Sequence, residues 1–393
     1  MSDMIRVTSG KYDDMVLYFT SNSLLADDKK IVFIRTIDEC NNLFVRDLSS
    51  GEETQITYFT DTCPRRLRIH NSRQHDFNAI VISSVVLHSK TGVLYFVKGR
   101  KLYRYDLKGN GRALAALPEK TGMGCAHINE AGTKFIIGAV DDRCFDTYDG
   151  TNNLAIDDRI QELNLSSHLL VYDTDTGAQL LNEPVHNGRV THVQFNPLDD
   201  NIIMYNHEWP ADCGVRRIWV FDGKRHIQAR TEGDGRSRDD WTCHEMWERT
   251  TGNLIYHGKY ANGIGYIGRI VYNNFPDMHD YSIVEIPFPK EYVKYGHFTV
   301  SNTDLLVTDG YYQVEGEQSG TSAKSLSGIS GEWITVLKPN WDKKTIEWIP
   351  LCKHESDWDS QESHPHPVFN HAANAVFFTS NRGGKRAVYS VKL

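Results

Sequence analysis

The chain has 393 residues, 40% of them hydrophobic and 24% charged, with Trp, Tyr and Phe well represented, which marks a globular protein with a dry core. Its formal charge of −8 argues against a nucleic-acid surface and offers no general attraction to an anion, so an acidic ligand would need local cations. The opening Met-Ser-Asp-Met-Ile-Arg-Val has no basic stretch leading into an apolar one, and no run approaches the roughly 20 apolar residues of a membrane span; no membrane contact is expected.

In chain order, a polar turn followed by a short apolar strand recurs seven times. The copies are 25–35 (LADDKKIVFIR), 87–97 (LHSKTGVLYFV), 128–138 (INEAGTKFIIG), 195–205 (FNPLDDNIIMY), 247–258 (WERTTGNLIYHG), 300–310 (VSNTDLLVTDG) and 369–381 (FNHAANAVFFTSN). A second strand follows each, often closing on an Asp and a Gly: LFVRDLSSG at 43–51, LYRYDLKG at 102–109, LLVYDTDTG at 169–177 and IWVFDG at 218–223. Weaker versions lie at Arg269, Trp333 and Ala387. A spacing of roughly 40 to 70 residues suits four-stranded blades, and no comparable helical periodicity is visible. A blade cannot bury both faces alone, so blades stack in a ring. The expected fold is all-β, a seven-bladed β-propeller forming one domain over 1–393. Only 387–391 (AVYSV) follows the last repeat, so 5–8 or 16–20 is expected to supply its missing strand, joining the two ends of the chain in one blade. The seven cysteines (Cys40, Cys63, Cys125, Cys144, Cys213, Cys243, Cys352) are odd in number, scattered and never in Cys-x-x-Cys, which predicts reduced thiols in a cytoplasmic protein.

The chemistry-bearing pattern is a histidine just before the turn in several repeats: His192-Val-Gln-Phe-Asn, His244-Glu-Met-Trp-Glu, His297-Phe-Thr-Val-Ser and His366-Pro-Val-Phe-Asn. Innermost strands line a propeller's channel, so equivalent positions in successive blades should converge. Any one of these would more often be a core histidine bonded to a neighbouring blade; four in register favour a site. In Gln361-Glu-Ser-His364-Pro-His366-Pro, residues i and i+2 of a strand face one side, which would present two imidazoles to one ion, with His297 as the third. A lone His-x-His is weak; its coincidence with the blade register strengthens it. Three imidazoles suit zinc, manganese, iron or nickel, and ligand type does not choose among them.

At these residues the chain resembles the oligogalacturonate lyases, intracellular seven-bladed propellers that finish pectin breakdown. The likeness is carried by HVQFNPLDDNIIMYNHEWP at 192–210, Arg217-Ile-Trp, TCHEMW at 242–247, GHFTVSN at 296–302, SHPHPVF at 363–369 and Phe378-Thr-Ser. The resemblance implies manganese held by His297, Gln361, His364 and His366, His244 as the base and Arg217 assisting it. His192 and His207, on the same side of the ring, are expected to line the substrate site and are the next candidates for the base. It implies β-elimination on a small acidic oligosaccharide, digalacturonate or a short pectin fragment, to a 4,5-unsaturated uronate. The first 80 residues and the stretch 234–240 (DGRSRDD) depart from the family pattern, so Arg236 and Arg238 are either added anion contacts or a solvated loop. Three rival readings remain: a non-enzymatic propeller that binds protein or glycan, a metal-dependent hydrolase, and a lyase of another uronate.

Overall fold

The structure, a computed structural model, describes residues 4–62, 78–146, 154–186, 188–208, 217–230, 241–289, 292–294, 296–312, 331–358 and 362–393. Its strands form seven antiparallel sheets, one for each sequence repeat, and the fold is a seven-bladed β-propeller. By contacts the chain divides into two compact units, Thr20–Arg236 and Met1–Phe19 with Ser237–Leu393.

In the first unit, β3 (Lys30–Ile37), β4 (Cys40–Asp47) and β5 (Glu53–Gln55) pair in order. They are followed by β6 (Val86–His88), β7 (Val93–Lys98), β8 (Lys101–Tyr105) and β9 (Gly111–Ala116), then β10 (Thr121–Ile128), β11 (Lys134–Asp141), β12 (Ser166–Asp173) and β13 (Gln179–His186). The unit closes with β14 (Val193–Phe195), β15 (Ile203–Asn206), β16 (Ile218–Phe221) and β17 (His226–Gln228). Sheets stack through apolar side chains on both faces. Ile136, Leu169 and Val171 of one blade pack on Val193, Phe195, Ile203 and Phe221 of the next, and burial on both faces is why these strands read as unbroken apolar runs rather than alternating ones. The Asp-Gly turns behave as their composition requires. Asp47 accepts from the N–H groups of Ser49 and Ser50, Asp173 from those of Asp175 and Thr176, and Gly51 and Gly177 take the positive φ, 76° and 75°, that closes the turn. One helix departs from the sequence expectation: α1 (Leu154–Glu162) buries Ile156 and Ile160, one turn apart, against Val140, Cys144 and Phe145. A single pair spaced one turn apart in nine residues is too little to register as a period.

The second unit holds β18 (Trp241–Trp247), β19 (Leu254–Lys259), β20 (Gly265–Tyr272) and β21 (Tyr281–Pro287). Next comes a sheet of six strands, β22 (Tyr292–Lys294), β23 (Phe298–Val300), β24 (Leu306–Thr308), β25 (Tyr311–Tyr312), β26 (Gly331–Asn340) and β27 (Thr345–Lys353). In the last sheet β28 (Val368–Phe369), β29 (Ala375–Gly383) and β30 (Lys385–Lys392) are completed by β1 (Met4–Arg6), which pairs antiparallel with β30. The two ends of the chain therefore meet in one blade, as the short last repeat predicts. The strand β2 (Asp13–Val16) lies beside β29 and β30, where Val16 N–H donates to Thr379 Oγ1 at 3.1 Å.

Candidate functional site

In the second unit, two loops, one bulge and the strand beside it bring imidazoles together. His297 precedes β23, and its ring centroid lies 4.2 Å from that of His366 and 5.2 Å from that of His364. The nitrogen donors of His297, His364 and His366 all lie within 4.8 Å of one another, near the span of about 4 Å that two metal–nitrogen bonds cover. The donor set fits a divalent ion: three neutral-capable imidazoles, two of them buried. The route to this cluster differs from the expected one. His364 and His366 do not sit on a strand; they lie in an irregular segment before β28, and His366 has φ +45°, so proline-interrupted backbone rather than strand alternation aims the two rings. Glu362 ties that segment to Arg386 of β30, whose Nε also reaches Asp13 Oδ1 of β2 at 3.3 Å. Gln361 falls outside the described residues, as do Arg236 and Arg238.

His244 stands on β18 where the register slips between Cys243 and Met246, a β-bulge that inserts His244 and Glu245 opposite Tyr256. The bulge turns His244 to φ +51° and sets its ring 4.7 Å from His297. Its Nδ1 lies 2.6 Å from Nε2 of His257 on β19, with Cys243 in the same group. Phe19 and Tyr18, just after β2, cover the cluster: Phe19 lies 5.3 Å from both His244 and His297, and Tyr18 lies 5.0 Å from His366. Trp358 flanks His364 at 4.5 Å. Behind His297, Asp309 places Oδ2 3.2 Å from Nδ1, and a Cβ at Gly296 would overlap Asp309 Oδ1, so that approach requires glycine. Burial pushes the Asp309 carboxyl up to about 6, while His354 and His364 act to lower it.

In the first unit, Arg217, just before β16, forms a second constellation. Its Nη2 lies 3.1 Å from His192 Nδ1, and its Nη1 lies 3.2 Å from Glu208 Oε2. Arginine has no acceptor, so His192 Nδ1 accepts, which leaves the proton of a neutral His192 on Nε2. Asn206 Nδ2 donates to the same Nδ1 at 3.2 Å. His207 turns away from this group, between Trp219 at 5.3 Å and Tyr205 at 5.8 Å, and burial with some help from His226 lowers its imidazole to about 4.

Of the expected site residues, His244, His297, His364 and His366 thus meet in one unit, and His192 and Arg217 meet in the other. The sequence reading missed His257, Asp309, Glu208 and the aromatic cover. Glu208 lies inside Asn206-His-Glu-Trp-Pro210, where a carboxylate within the stretch that carries the family likeness was the available signal; His257 and Asp309 gave none until strand pairing placed them.

A seven-bladed β-propeller carrying a buried three-histidine centre with a fourth imidazole alongside is the class that fold and site define. The chain matches the family model described as oligogalacturonate lyase over residues 2–393, and it belongs to the oligogalacturonate lyase family, which makes it a lyase. It is 25% identical over 394 residues to an oligogalacturonate lyase of Dickeya dadantii (96% of this chain, 89% of the relative). It is 24% identical to an oligogalacturonide lyase of Pectobacterium atrosepticum, with the same coverage. Among solved structures, the oligogalacturonate lyase of Vibrio parahaemolyticus superposes with a TM-score of 0.75 at 20% identity, covering 100% of this chain and 93% of that one. An oligogalacturonate lyase in complex with manganese superposes at 0.74, also at 20% identity and with the same coverage. None of the five described cysteines lies in a disulfide, and no helix among the described residues is long and apolar enough to cross a membrane.

Proposed function

We propose that this protein cleaves short oligogalacturonates by β-elimination, with digalacturonate as substrate and manganese as cofactor, working in the cytoplasm as one propeller domain over 1–393. The observation that carries the reading is the convergence of His297, His364 and His366 with His244 beside them. His297, His364 and His366, with Gln361, would hold the ion. When bound, a divalent ion there supplies a Lewis acid for the substrate carboxylate, which offsets charge on an enolate-like intermediate.

A uronate's C5 hydrogen is weakly acidic, and removing it is the demanding step. His244 takes that proton; the C5–H electrons become the C4–C5 double bond, the C4–O bond breaks with its electron pair going to oxygen, and that oxygen takes a proton from water as the sugar leaves. The imidazole pair prepares the base: with Nδ1–H of His244 donated to His257 Nε2 over 2.6 Å, His244 Nε2 keeps its lone pair. Arg217 holds carboxylate oxygens through its planar fork, and His192, with its proton on Nε2, donates to the sugar. Phe19 and Tyr18 keep water from the imidazoles.

The test is incubation with digalacturonate and manganese, watching ultraviolet absorbance of the unsaturated uronate. Absorbance growth that stops on chelation supports the reading. Cleavage without an absorbing product would make the protein a hydrolase, and no cleavage of any uronate oligomer would leave a binding propeller.

A further inference from the structure

The constellation around Arg217 extends inward as a row of alternating charges. Asp157 on α1 faces Arg189 at 3.5 Å, and both side chains are 1% exposed. Glu208 N–H donates to the Arg189 carbonyl at 2.8 Å, which sets the Glu208 backbone beside it. Glu208 Oε2 accepts from Thr191 Oγ1 at 2.5 Å and Asn206 Nδ2 at 2.7 Å, then meets Arg217 Nη1 at 3.2 Å. Asn206 is itself clamped, its Oδ1 accepting from the N–H groups of Thr191 and His192 at 2.9 and 2.8 Å. A largely buried carboxylate with this many fixed donors has little freedom. Burial acts to raise its proton affinity, but Arg217 above all, with Arg189 and the Thr191 hydroxyl, holds it well below the ordinary carboxylate range, so it is charged.

We propose that Glu208 is the positioning residue of the reaction: it fixes one edge of the Arg217 guanidinium while His192 fixes another, so that the guanidinium is presented to the substrate carboxylate in one orientation. This rests on the carboxylate-binding role given to Arg217 above. An arginine held only by solvent would sample several rotamers, and a misplacement of about 1 Å at a transition-state contact costs up to 100-fold in rate. Glu208 touches no substrate in this account. Its effect passes through Arg217, and the backbone bond to Arg189 fixes where its own chain sits.

The experiment is a double-mutant cycle on the full-length protein with digalacturonate and saturating manganese, using Glu208→Gln, Arg217→Lys and the double variant. Glu208→Gln is expected to lower kcat about tenfold or more with little change in KM and with wild-type manganese content. In the Arg217→Lys background the same change is expected to add less than about twofold, because the group it acts through is already impaired. A purely structural role predicts the opposite, a loss that multiplies in the double variant, and that outcome overturns the proposal. Wild-type kcat in Glu208→Gln beside an impaired Arg217→Lys also overturns it while leaving the role of Arg217 intact. A fully active Arg217→Lys instead removes Arg217 from the reaction and the positioning role with it. If Glu208→Gln does not fold, Glu208→Asp keeps the charge and withdraws it by one methylene. It is expected to lose several-fold in kcat with the same non-additivity, and a wild-type rate overturns the proposal.

Discussion

Replacing Asp309 by Asn should weaken the metal centre and stabilise the metal-free fold. The Asp309 side chain is fully buried, with Oδ2 3.2 Å from His297 Nδ1, and burial raises its folded pKa to about 6 from an unfolded 3.8. A raised pKa means that the folded protein binds the proton more tightly, so the stabilising contribution is complete below pH 3.8 and is lost as pH rises through 6. The gap of about 2.2 units, at about 1.36 kcal/mol each, makes the ionised carboxylate cost up to about 3 kcal/mol at pH 7. Asn has the shape of the protonated acid and no such cost. Metal-free Asp309→Asn should therefore exceed wild type in stability by up to about 3 kcal/mol at pH 7 and match it near pH 4. The same carboxylate, when charged, accepts from His297 Nδ1 and raises the basicity of the other ring nitrogen, so its loss should weaken manganese binding about 10- to 100-fold. Urea denaturation of chelator-treated protein at the two pH values, with manganese titration of the same samples, measures both. A variant that is less stable than wild type at pH 7 and binds manganese as tightly would refute the argument.

Purified protein should carry about one divalent ion per chain by metal analysis, and His364→Ala with His366→Ala should empty the site while leaving the β-sheet circular dichroism intact; full occupancy would show the ligand assignment wrong. His244→Ala should lose turnover and retain manganese, whereas a near wild-type rate would place the base elsewhere. Arg217→Lys should lower kcat by well over about tenfold, since an ammonium cannot replace a planar fork; an unchanged turnover number would remove Arg217 from the site. His207, at about 4 folded against 6.5 unfolded, contributes stability above pH 6.5 that is lost as pH falls through 4. His207→Gln should therefore remove up to about 3 kcal/mol of acid sensitivity between urea midpoints at pH 7 and pH 4, and an unaltered difference would refute this.

All seven repeats were legible because the strand marked in each is largely buried and follows a polar turn, and the next strand often closes on an Asp-Gly turn with its own chemistry. Lys30–Ile37, Val93–Lys98, Lys134–Asp141, Ile203–Asn206, Leu254–Lys259, Leu306–Thr308 and Ala375–Gly383 all lie in or overlap the marked segments. The closing strand was legible from what the last repeat lacked. The histidine register was legible too, since His297 and His366 occupy like positions before β23 and β28. What was hidden depends on pairing. His257 enters the site only because β19 aligns it with Cys243, and Asp309 only because His297 and Asp309 flank the paired strands β23 and β24.

The errors fall where local rules are broken, and the breaks have a common location. Strand alternation was the wrong device for His364 and His366, and the repeat register alone did not show the bulge that carries His244. At both places a bulky residue takes a positive φ, +45° at His366 and +51° at His244, and Trp358 beside His364 takes +57°. Such a conformation costs a non-glycine residue about 1–3 kcal/mol and persists only where its surroundings over-determine it. Here they do: Arg386 anchors Glu362, Phe19 and Tyr18 press on the rings, and His257 holds His244 Nδ1. A propeller blade would be more stable with a regular inner strand and apolar side chains at these positions. That the chain instead turns three bulky residues against their backbone preference, all within one group of imidazoles, is what a site shaped for ligand geometry rather than for packing would require.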